Sequence, residues 1–470
     1  MNGIDTRLVQ AIPAAARIAD FATAFTTDCL TAGHLNQTAR ALIDTVAVTL
    51  AGRQEPAAAI VLEYVRGRNA AHMATAWGIG DQLPPEETAL YNGVAGHVLD
   101  FDDVTSPLRG HPSIALLPAL VALAEAHEKD GKQLVAAFVI GFEVLVKMAK
   151  AMVGDHYAKG WHSTSSIGTI AATAACAHLL GLPREQMINA LGIAVAQTSG
   201  TRANFGTMAK SFQAGHCGAS AVRAALLAQR GFTGSADAID GAYGYMALYA
   251  SGEDLDAQLA TIGTEPLEIE SSGIEIKKYP LCYATHRTVD GILDLRAEHG
   301  LTLDQVERVE ILSNYRAMVP LIHQQPKTGL EAKFSMQYAV AAALEDGFVR
   351  LASFEDAAVL RAPIQQFFAQ VDAREEQGPA FPRWNRIRIK TKAGQTLEKL
   401  VTQLRGAADY PLTNAELVEK AGDCLAFGGY RQSAQAFADA AFSIEHLQVR
   451  EILNSLPAIG PFSKGEHVND

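Results

Sequence analysis

The segment from Gly96 to Ser113 is dense in side chains that can bind anions or move protons. It lies between two strongly apolar segments, and its chemically active residues are His97, Asp100, Asp102, Asp103, Arg109 and His111. Ionised carboxylates are almost never fully buried without a partner, so core packing alone does not explain this cluster. We interpret it as a candidate active site, and a solvated loop between two helices is the simpler alternative.

A second group of polar residues lies at a break between two apolar helices. Residues 156–165 read HYAKGWHSTS and contain Tyr157 and His162. Ser163 or Thr164 is predicted to cap the following helix, whose N-terminus would attract an anion. An ordinary helix cap with an exposed histidine is the alternative interpretation.

A third group follows in residues 201–216, which contain Arg202 and Lys210. The segment is rich in small residues, but its spacing does not form a phosphate-binding loop. Lys210 is flanked by Met208, Ala209 and Phe212, so burial would remove water from its amine. Loss of solvation lowers the pKa of an amine, which makes Lys210 a candidate base.

The fourth group, KKYPLCYATHR at residues 277–287, offers cations that could bind a carboxylate. Its candidate substrate-binding residues are Lys277, Lys278, Cys282, His286 and Arg287. Cys282 taken alone is more typical of a packed thiol than of a nucleophile. The sequence contains no GxSxG elbow, no HExxH motif and no dinucleotide fingerprint after a strand.

Composition limits the possible partners. The chain has 470 residues, of which 49% are hydrophobic, and its formal net charge is −12. An acidic chain without a basic run is not expected to bind nucleic acid or an anionic membrane. The five cysteines are scattered and form no CxxC pair, which is typical of the reducing cytosol. With no signal peptide and no spanning segment visible, we expect a cytoplasmic protein.

Hydrophobic periodicity predicts a mainly α protein. Residues 15–260 are alanine-rich and helical in pattern; the predicted helices cover residues 134–152, 167–180, 187–196 and 219–229, the first starting after Asp130-Gly131. Near residue 262 the pattern changes. The predicted strands are Leu267–Glu270, Ile274–Lys277, Val306–Leu312 and Ile387–Thr391, with a hairpin turn at Ala393-Gly394 and a helix over Glu331–Leu344. Helix resumes over residues 414–456. We expect a large all-helical domain (residues 1–262 and 405–470) and a smaller α+β lid domain (residues 263–404).

Several of these segments together resemble the MmgE/PrpD family, whose members include 2-methylcitrate dehydratase, cis-aconitate decarboxylase and iminodisuccinate epimerase. The matching pieces are GHVLDFDD with GHPS, then GWHSTSSIGT, NFGTMAK, KKYPLCYATH and KFSMQYAVAAAL. They occur in the family's order between about residues 90 and 345. Each piece alone is weak evidence for the family, but the pieces together, in the family's order, are specific to it.

The resemblance implies a homodimer with a cofactor-free and metal-free site between its domains, with site residues at Asp100, His111, Tyr157, His162, Lys210, Cys282 and His286. The segment around Tyr157 and the NFGTM-K form are most similar to the epimerase branch, in which the tyrosine and lysine would be opposed acid and base. Two positions depart from the family pattern. Gln213 stands where a histidine is common, and Val104 stands where some decarboxylases have a threonine.

The leading hypothesis is a lyase that removes a proton α to a carboxylate of a small di- or tricarboxylate, in dehydration or decarboxylation. In this hypothesis Asp100, His111, Tyr157, His162 and Lys210 are catalytic, and the remaining arginines and lysines bind carboxylates. Two-base epimerisation of an amino- or iminodicarboxylate is the first alternative. A magnesium-dependent prenyl or terpene enzyme using Asp-Phe-Asp-Asp and a non-catalytic helical interaction protein are lower alternatives.

Overall fold

The computed structural model describes residues 12–66, 74–152, 155–250 and 254–457. Helices dominate the first part of the chain, in the order α1 (Ala14–Ala24), α2 (Ala32–Gly52), α3 (Pro56–Arg66), α4 (Pro85–His97), α5 (Pro112–Ala126), α6 (Gly131–Ala151), α7 (Asp155–Ala158), α8 (Ser163–Leu179), α9 (Arg184–Val195), α10 (Met208–Gln229), α11 (Tyr245–Tyr249), α12 (Leu255–Leu259) and α13 (Glu268–Ser271). A two-stranded pair, β1 (Ala74–Thr75) and β2 (Gln82–Leu83), interrupts them, so this part is not purely helical.

The central helix α6 confirms the reasoning from sequence. Asp130 caps it: its side chain accepts from the Gln133 backbone N–H, while the Gln133 side chain accepts from the Asp130 N–H. Nearly all of the helix is buried, including Glu143, which accepts hydrogen bonds from the backbone N–H groups of Gly263 and Glu268. Because this carboxylate is satisfied by backbone donors, an otherwise apolar helix can bury it.

Close contact between α4 and α10 brings two segments of the candidate site together. A Cβ atom placed on Gly93 would lie 2.6 Å from the Cα of Gly215, so both glycines are needed for this approach. Asp100 follows the end of α4, and Lys210 lies in the first turn of α10. Packing of these two helices therefore places the Asp100 carboxylate beside the Lys210 ammonium.

The second part of the chain contains a four-stranded sheet with helices against it. Its elements are α14 (His286–His299), β3 (Val306–Asn314), α15 (Gly329–Ala332), α16 (Met336–Asp346), α17 (Asp356–Val359), α18 (Ala362–Phe367), β4 (Val371–Glu376), β5 (Asn385–Thr391) and β6 (Thr396–Val401). The strand order is β4-β3-β5-β6, with β3 and β4 parallel and the other pairs antiparallel. Alternate residues of β5 are buried, as its pattern predicted, and the β5–β6 hairpin turns at the predicted Ala393-Gly394.

Four predicted elements are wrong in detail. Residues 268–271 form the short helix α13 rather than a strand, and residues 274–277 contribute only an isolated bridge between Val104 and Glu275. Period-two alternation over four residues does not distinguish a strand from a short turn of helix. The helix predicted over residues 331–344 is split into α15 and α16, and α10 begins at Met208 rather than at residue 219.

The chain ends in α19 (Asn414–Phe427), α20 (Gln435–Phe442) and α21 (Val449–Asn454), where one region of helix was predicted. These helices join the larger hydrophobic core, which otherwise consists mainly of residues between 14 and 276, while a second core lies within residues 279–401. We retain the division into a helical domain and an α+β lid as a proposal that these two cores support. None of the described helices combines the length and apolar character that crossing a membrane requires.

Candidate active site

A cavity of about 250 Å³ lies where the helical segments meet the second part of the chain. Among the described residues, its wall contains one carboxylate, Asp100. Its seven cationic side chains are Arg109, Arg202, Lys210, Lys277, Arg287, Arg316 and Arg383. This balance is opposite in sign to the net charge of −12 of the whole chain, and it creates a local field that attracts anions.

Asp100 is the centre of a buried charge network. One oxygen accepts a hydrogen bond from the Lys210 ammonium, and the other lies 3.1 Å from Lys277 Nζ. Burial alone would raise the pKa of Asp100, but Lys210 and Lys277 outweigh it and hold that pKa well below the usual range. The apolar residues around Lys210 predicted an isolated amine acting as a base. The structure instead pairs this amine with an ionised carboxylate, a position suited to anchoring a substrate or donating a proton.

Three buried lysines hold the backbone on either side of this carboxylate. The backbone carbonyls of three consecutive residues accept hydrogen bonds from these ammonium groups. Lys333 donates to Leu99 (2.6 Å), Lys277 to Asp100 (2.6 Å) and Lys420 to Phe101 (2.9 Å). Asp100 has a φ of 52°, a left-handed conformation that is strained for a residue with a side chain. These charge-assisted hydrogen bonds offset that strain and fix the direction of the carboxylate.

The imidazole rings of His97, His111 and His162 pack against one another beside Asp100. The His97 ring is 4.6 Å from that of His111 and 5.7 Å from that of His162, between ring centroids. The Asp102 carboxylate lies between His97 Nδ1 (2.8 Å) and His111 Nδ1 (3.1 Å). Burial lowers the pKa of His97 to about 4 and that of His162 well below its ordinary value. The His97 and His162 rings are therefore neutral near pH 7, and the Asp102 carboxylate holds the positions of His97 and His111.

The predicted cap at the start of α8 is wrong. His162 itself occupies the cap position, and no side chain there bonds the helix N-terminus. Thr164 instead accepts a hydrogen bond from the backbone N–H of His111 at 3.0 Å. This contact joins the start of α8 to the loop before α5, and so fixes His111 relative to His162.

Tyr157 and Arg202 form a second wall of the cavity. The Arg202 guanidinium lies 4.1 Å from the centroid of the Tyr157 ring and donates to the Tyr157 carbonyl at 2.9 Å. Burial raises the pKa of Tyr157 to about 12, so its hydroxyl keeps its proton at neutral pH. The phenol is thus a proton donor toward a bound substrate.

Five arginines supply most of the positive charge of the cavity. Among the described residues, none of the five forms an ion pair with a carboxylate, and the buried Nε atoms of Arg202 and Arg287 have no hydrogen-bond partner. Burial lowers the pKa of Arg109 and Arg287, and burial together with repulsion from those two lowers the pKa of Arg383 to about 10. Such a group of desolvated cations is stabilised by an anionic ligand.

Two predicted substrate-binding residues do not reach the cavity. Lys278 is exposed and does not line it. His286 is fully buried behind the wall, donates from Nε2 to the Leu281 carbonyl at 3.2 Å, and burial lowers its pKa to about 3. The neighbouring Cys282 does line the cavity, with a protonated thiol because burial raises its pKa to about 11.

Sequence reasoning missed Arg316, Arg383 and Lys333. The first two line the cavity, and Lys333 supports the Asp100 backbone from the break between α15 and α16. Arg316 and Arg383 stand apart from the groups of polar residues, so no local pattern marked them as site residues. Lys333 opens the segment KFSMQYAVAAAL, whose resemblance to the family was the available signal.

The carboxylates of Asp-Phe-Asp-Asp do not converge on one ion. Asp100 faces lysines, Asp102 faces imidazoles, and Asp103 accepts from Ser113, with its pKa raised by burial. This separation removes the basis for the magnesium-dependent prenyl enzyme. Ligand atoms of His97, Asp102 and His111 do lie within 4.8 Å of one another. Within this set His97 Nδ1 and the Asp102 carboxylate are hydrogen-bonded to each other at 2.8 Å, and a metal-independent site remains our prediction.

Comparison with known proteins identifies the family of this chain. The MmgE/PrpD N-terminal domain model matches residues 16–258, and the C-terminal domain model matches residues 279–445. The human cis-aconitate decarboxylase is 30% identical over 413 residues, covering 83% of this chain and 84% of that protein. A cis-aconitate decarboxylase of Aspergillus terreus is 24% identical over 441 residues, covering 86% and 88%. The 2-methylcitrate dehydratase of Escherichia coli K12 is 27% identical over 364 residues, covering 72% and 73%. With both domain models matched in order across most of its length, the chain belongs to the MmgE/PrpD family.

Proposed function

We propose that the protein is a lyase that acts on a small tricarboxylate without a resident cofactor. The observation that carries this proposal is the charge of the cavity, where seven cations face one carboxylate and that carboxylate is already paired with two lysines. Five arginines therefore remain to bind anionic groups. A substrate with several carboxylates satisfies more of them than a mono- or dicarboxylate does.

The catalytic step we propose creates negative charge next to a bound carboxylate. In dehydration, a base takes the proton α to a carboxylate, and the hydroxyl group leaves as water after an acid protonates it. In decarboxylation, a carboxylate leaves as carbon dioxide and an acid protonates the carbon that keeps the electron pair. Lys210, Lys277 and the arginines would stabilise the charge that develops on the remaining carboxylate, and His111, His162 and Tyr157 would transfer the protons.

The named relatives support a lyase over the alternatives. They include both a carboxy-lyase and a hydro-lyase, and both act on tricarboxylates. Two-base epimerisation stays a second candidate because Tyr157 and Lys210 line the same cavity. The group of titratable residues around one cavity does not favour a non-catalytic interaction protein. We also propose a cytoplasmic location, in accord with five cysteines that are all free, and a homodimer, as the family resemblance implies.

Calorimetric titration with tri-, di- and monocarboxylates tests the proposal. We expect the tricarboxylates to bind most tightly, and Arg287→Gln to weaken that binding about 10–100-fold through loss of a charge-assisted contact. The matched control is Arg386→Gln, since Arg386 is exposed on β5 and does not line the cavity. Equal affinity for mono- and tricarboxylates, or equal effects of the two variants, would contradict the proposal.

A further inference from the structure

Gln213 contacts His162, which lines the cavity, but Gln213 does not line the cavity itself. It lies on α10 with 6% of its surface exposed, and its Oε1 is 2.6 Å from His162 Nδ1. Its amide nitrogen donates to the Thr201 carbonyl at 3.1 Å. We infer that Gln213 is a positioning residue that fixes the tautomer of His162, so that Nδ1 carries the hydrogen and Nε2 presents a lone pair to the substrate.

The hydrogen-bond partners determine this tautomer in two steps. The Thr201 carbonyl can only accept, so the Gln213 NH₂ group must point toward it and the Oε1 atom must point toward His162. Oε1 can also only accept, so the proton in the 2.6 Å contact belongs to His162 Nδ1. The opposite tautomer would place two lone pairs against each other in a buried site.

The surroundings of His162 keep the ring neutral and hold it in place. The His97 ring stacks on it at 5.7 Å and the Phe205 ring meets it edge-on at 5.1 Å. The titratable groups that face it are His97, His111 and Lys210; burial, then His97 and Lys210, lower its pKa. A neutral imidazole with hydrogen on Nδ1 has its lone pair on Nε2, and His162 lines the cavity.

This inference deepens the proposed function and rests on it for the reaction step. When His162 acts as base, the C–H bond α to the carboxylate breaks and the proton bonds to Nε2. The electron pair of that bond forms the new carbon–carbon double bond as the hydroxyl, protonated by an acid such as Tyr157, leaves as water. Gln213 accepts from Nδ1 before and after this transfer, so it orients the ring without taking the proton. Because it is neutral, it does not hold the imidazole in its charged form as a carboxylate would.

Nitrogen-15 NMR of histidine-labelled protein tests the tautomer without any substrate. The His162 signal is assigned by its loss in His162→Asn. We expect hydrogen on Nδ1 in the wild type and a mixture of tautomers in Gln213→Met. The matched control is Gln197→Met, because Gln197 also makes two hydrogen bonds, to Arg223 and to the Ser220 carbonyl, away from the site. Hydrogen on Nε2 in the wild type would overturn the inference, whatever the reaction is.

Kinetics test the consequence for activity. We expect Gln213→Met to lower kcat/KM about 10–100-fold, the usual cost of losing a residue that orients an imidazole, while Gln197→Met keeps wild-type values. Gln213→Glu keeps an acceptor of the same shape and adds a charge, so the acid limb of the kcat/KM profile should move to higher pH. An unmoved profile in Gln213→Glu, or wild-type kcat/KM in Gln213→Met, would overturn the positioning role. If Gln213→Met does not fold, the pH profile of kcat/KM in Gln213→Glu still tests the positioning role.

Discussion

Replacing Lys333 with methionine removes one of the three lysines that hold the Asp100 backbone. Lys333 is 3% exposed, and its ammonium donates to the carbonyls of Leu99 (2.6 Å) and Pro280 (2.7 Å). It therefore ties the candidate site to the segment around Pro280, which leads into the second part of the chain. We expect Lys333→Met to lower kcat/KM at least tenfold, because Asp100 loses part of the support for its strained conformation.

The same substitution should change how stability depends on pH. Burial lowers the pKa of Lys333 from 10.5 to about 7. Between those two values the folded protein binds fewer protons than the unfolded chain, so the free energy of unfolding rises with pH. For these pKa values the linkage relation gives a rise of about 2 kcal/mol between pH 7 and pH 9, and Lys333→Met should lack that rise.

Denaturant unfolding at pH 7, 8 and 9 measures this difference directly. Each variant is compared with the wild type at every pH, so groups common to both proteins cancel. Lys278→Met is the matched control, since Lys278 is the exposed lysine beside Lys277 and should leave the pH dependence unchanged. Parallel stability curves for the wild type and Lys333→Met would refute the assignment of a buried ammonium with a lowered pKa.

Three further predictions concern proton transfer, charge balance and acid stability. Tyr157→Phe should lower kcat about 10²–10⁴-fold in steady-state assays; full activity would exclude the phenol as an acid. Lys210→Met should abolish turnover and cost about 3–5 kcal/mol in denaturant unfolding, since Asp100 loses a buried partner; adding Asp100→Asn should restore stability but not turnover. Burial lowers the pKa of His97 to about 4 and that of His286 to about 3. Between pH 7 and pH 5 each histidine is protonated in the unfolded chain but not in the folded protein, so each should reduce the free energy of unfolding by about 2 kcal/mol. A constant free energy of unfolding over that range would contradict this.

Much of the helical part could be predicted because its signals are local. The capping residue Asp130 and the long apolar run after it predict α6 to within three residues at its start and one at its end. The strand β4 was missed because its outer residues are polar and exposed, so it lacks period-two alternation. Glu268 was assigned to a strand, yet its carboxylate binds Lys147 and Lys150 of α6 from a short helix. Such tertiary contacts are not visible in local periodicity.

The candidate site could be predicted only where its residues cluster along the chain. Asp100 and His111 lie within twelve residues of each other, in a segment too polar to belong to a hydrophobic core. The residue types of this segment therefore indicated a site. Arg316 and Arg383 reach the cavity from separate loops, and no local pattern marks a lone arginine. The opposite error occurred at His286, where a polar residue in a promising cluster proved to be hydrogen-bonded behind the wall.

Proton NMR of the enzyme with a panel of tricarboxylates in D₂O tests the central claim most directly. A lyase that works through negative charge α to a carboxylate is expected to produce a new vinyl signal, with loss of either water or carbon dioxide from the substrate. Exchange of the α proton for deuterium with no new product would instead support the epimerase. A panel in which neither a vinyl signal nor α-proton exchange develops would contradict the account.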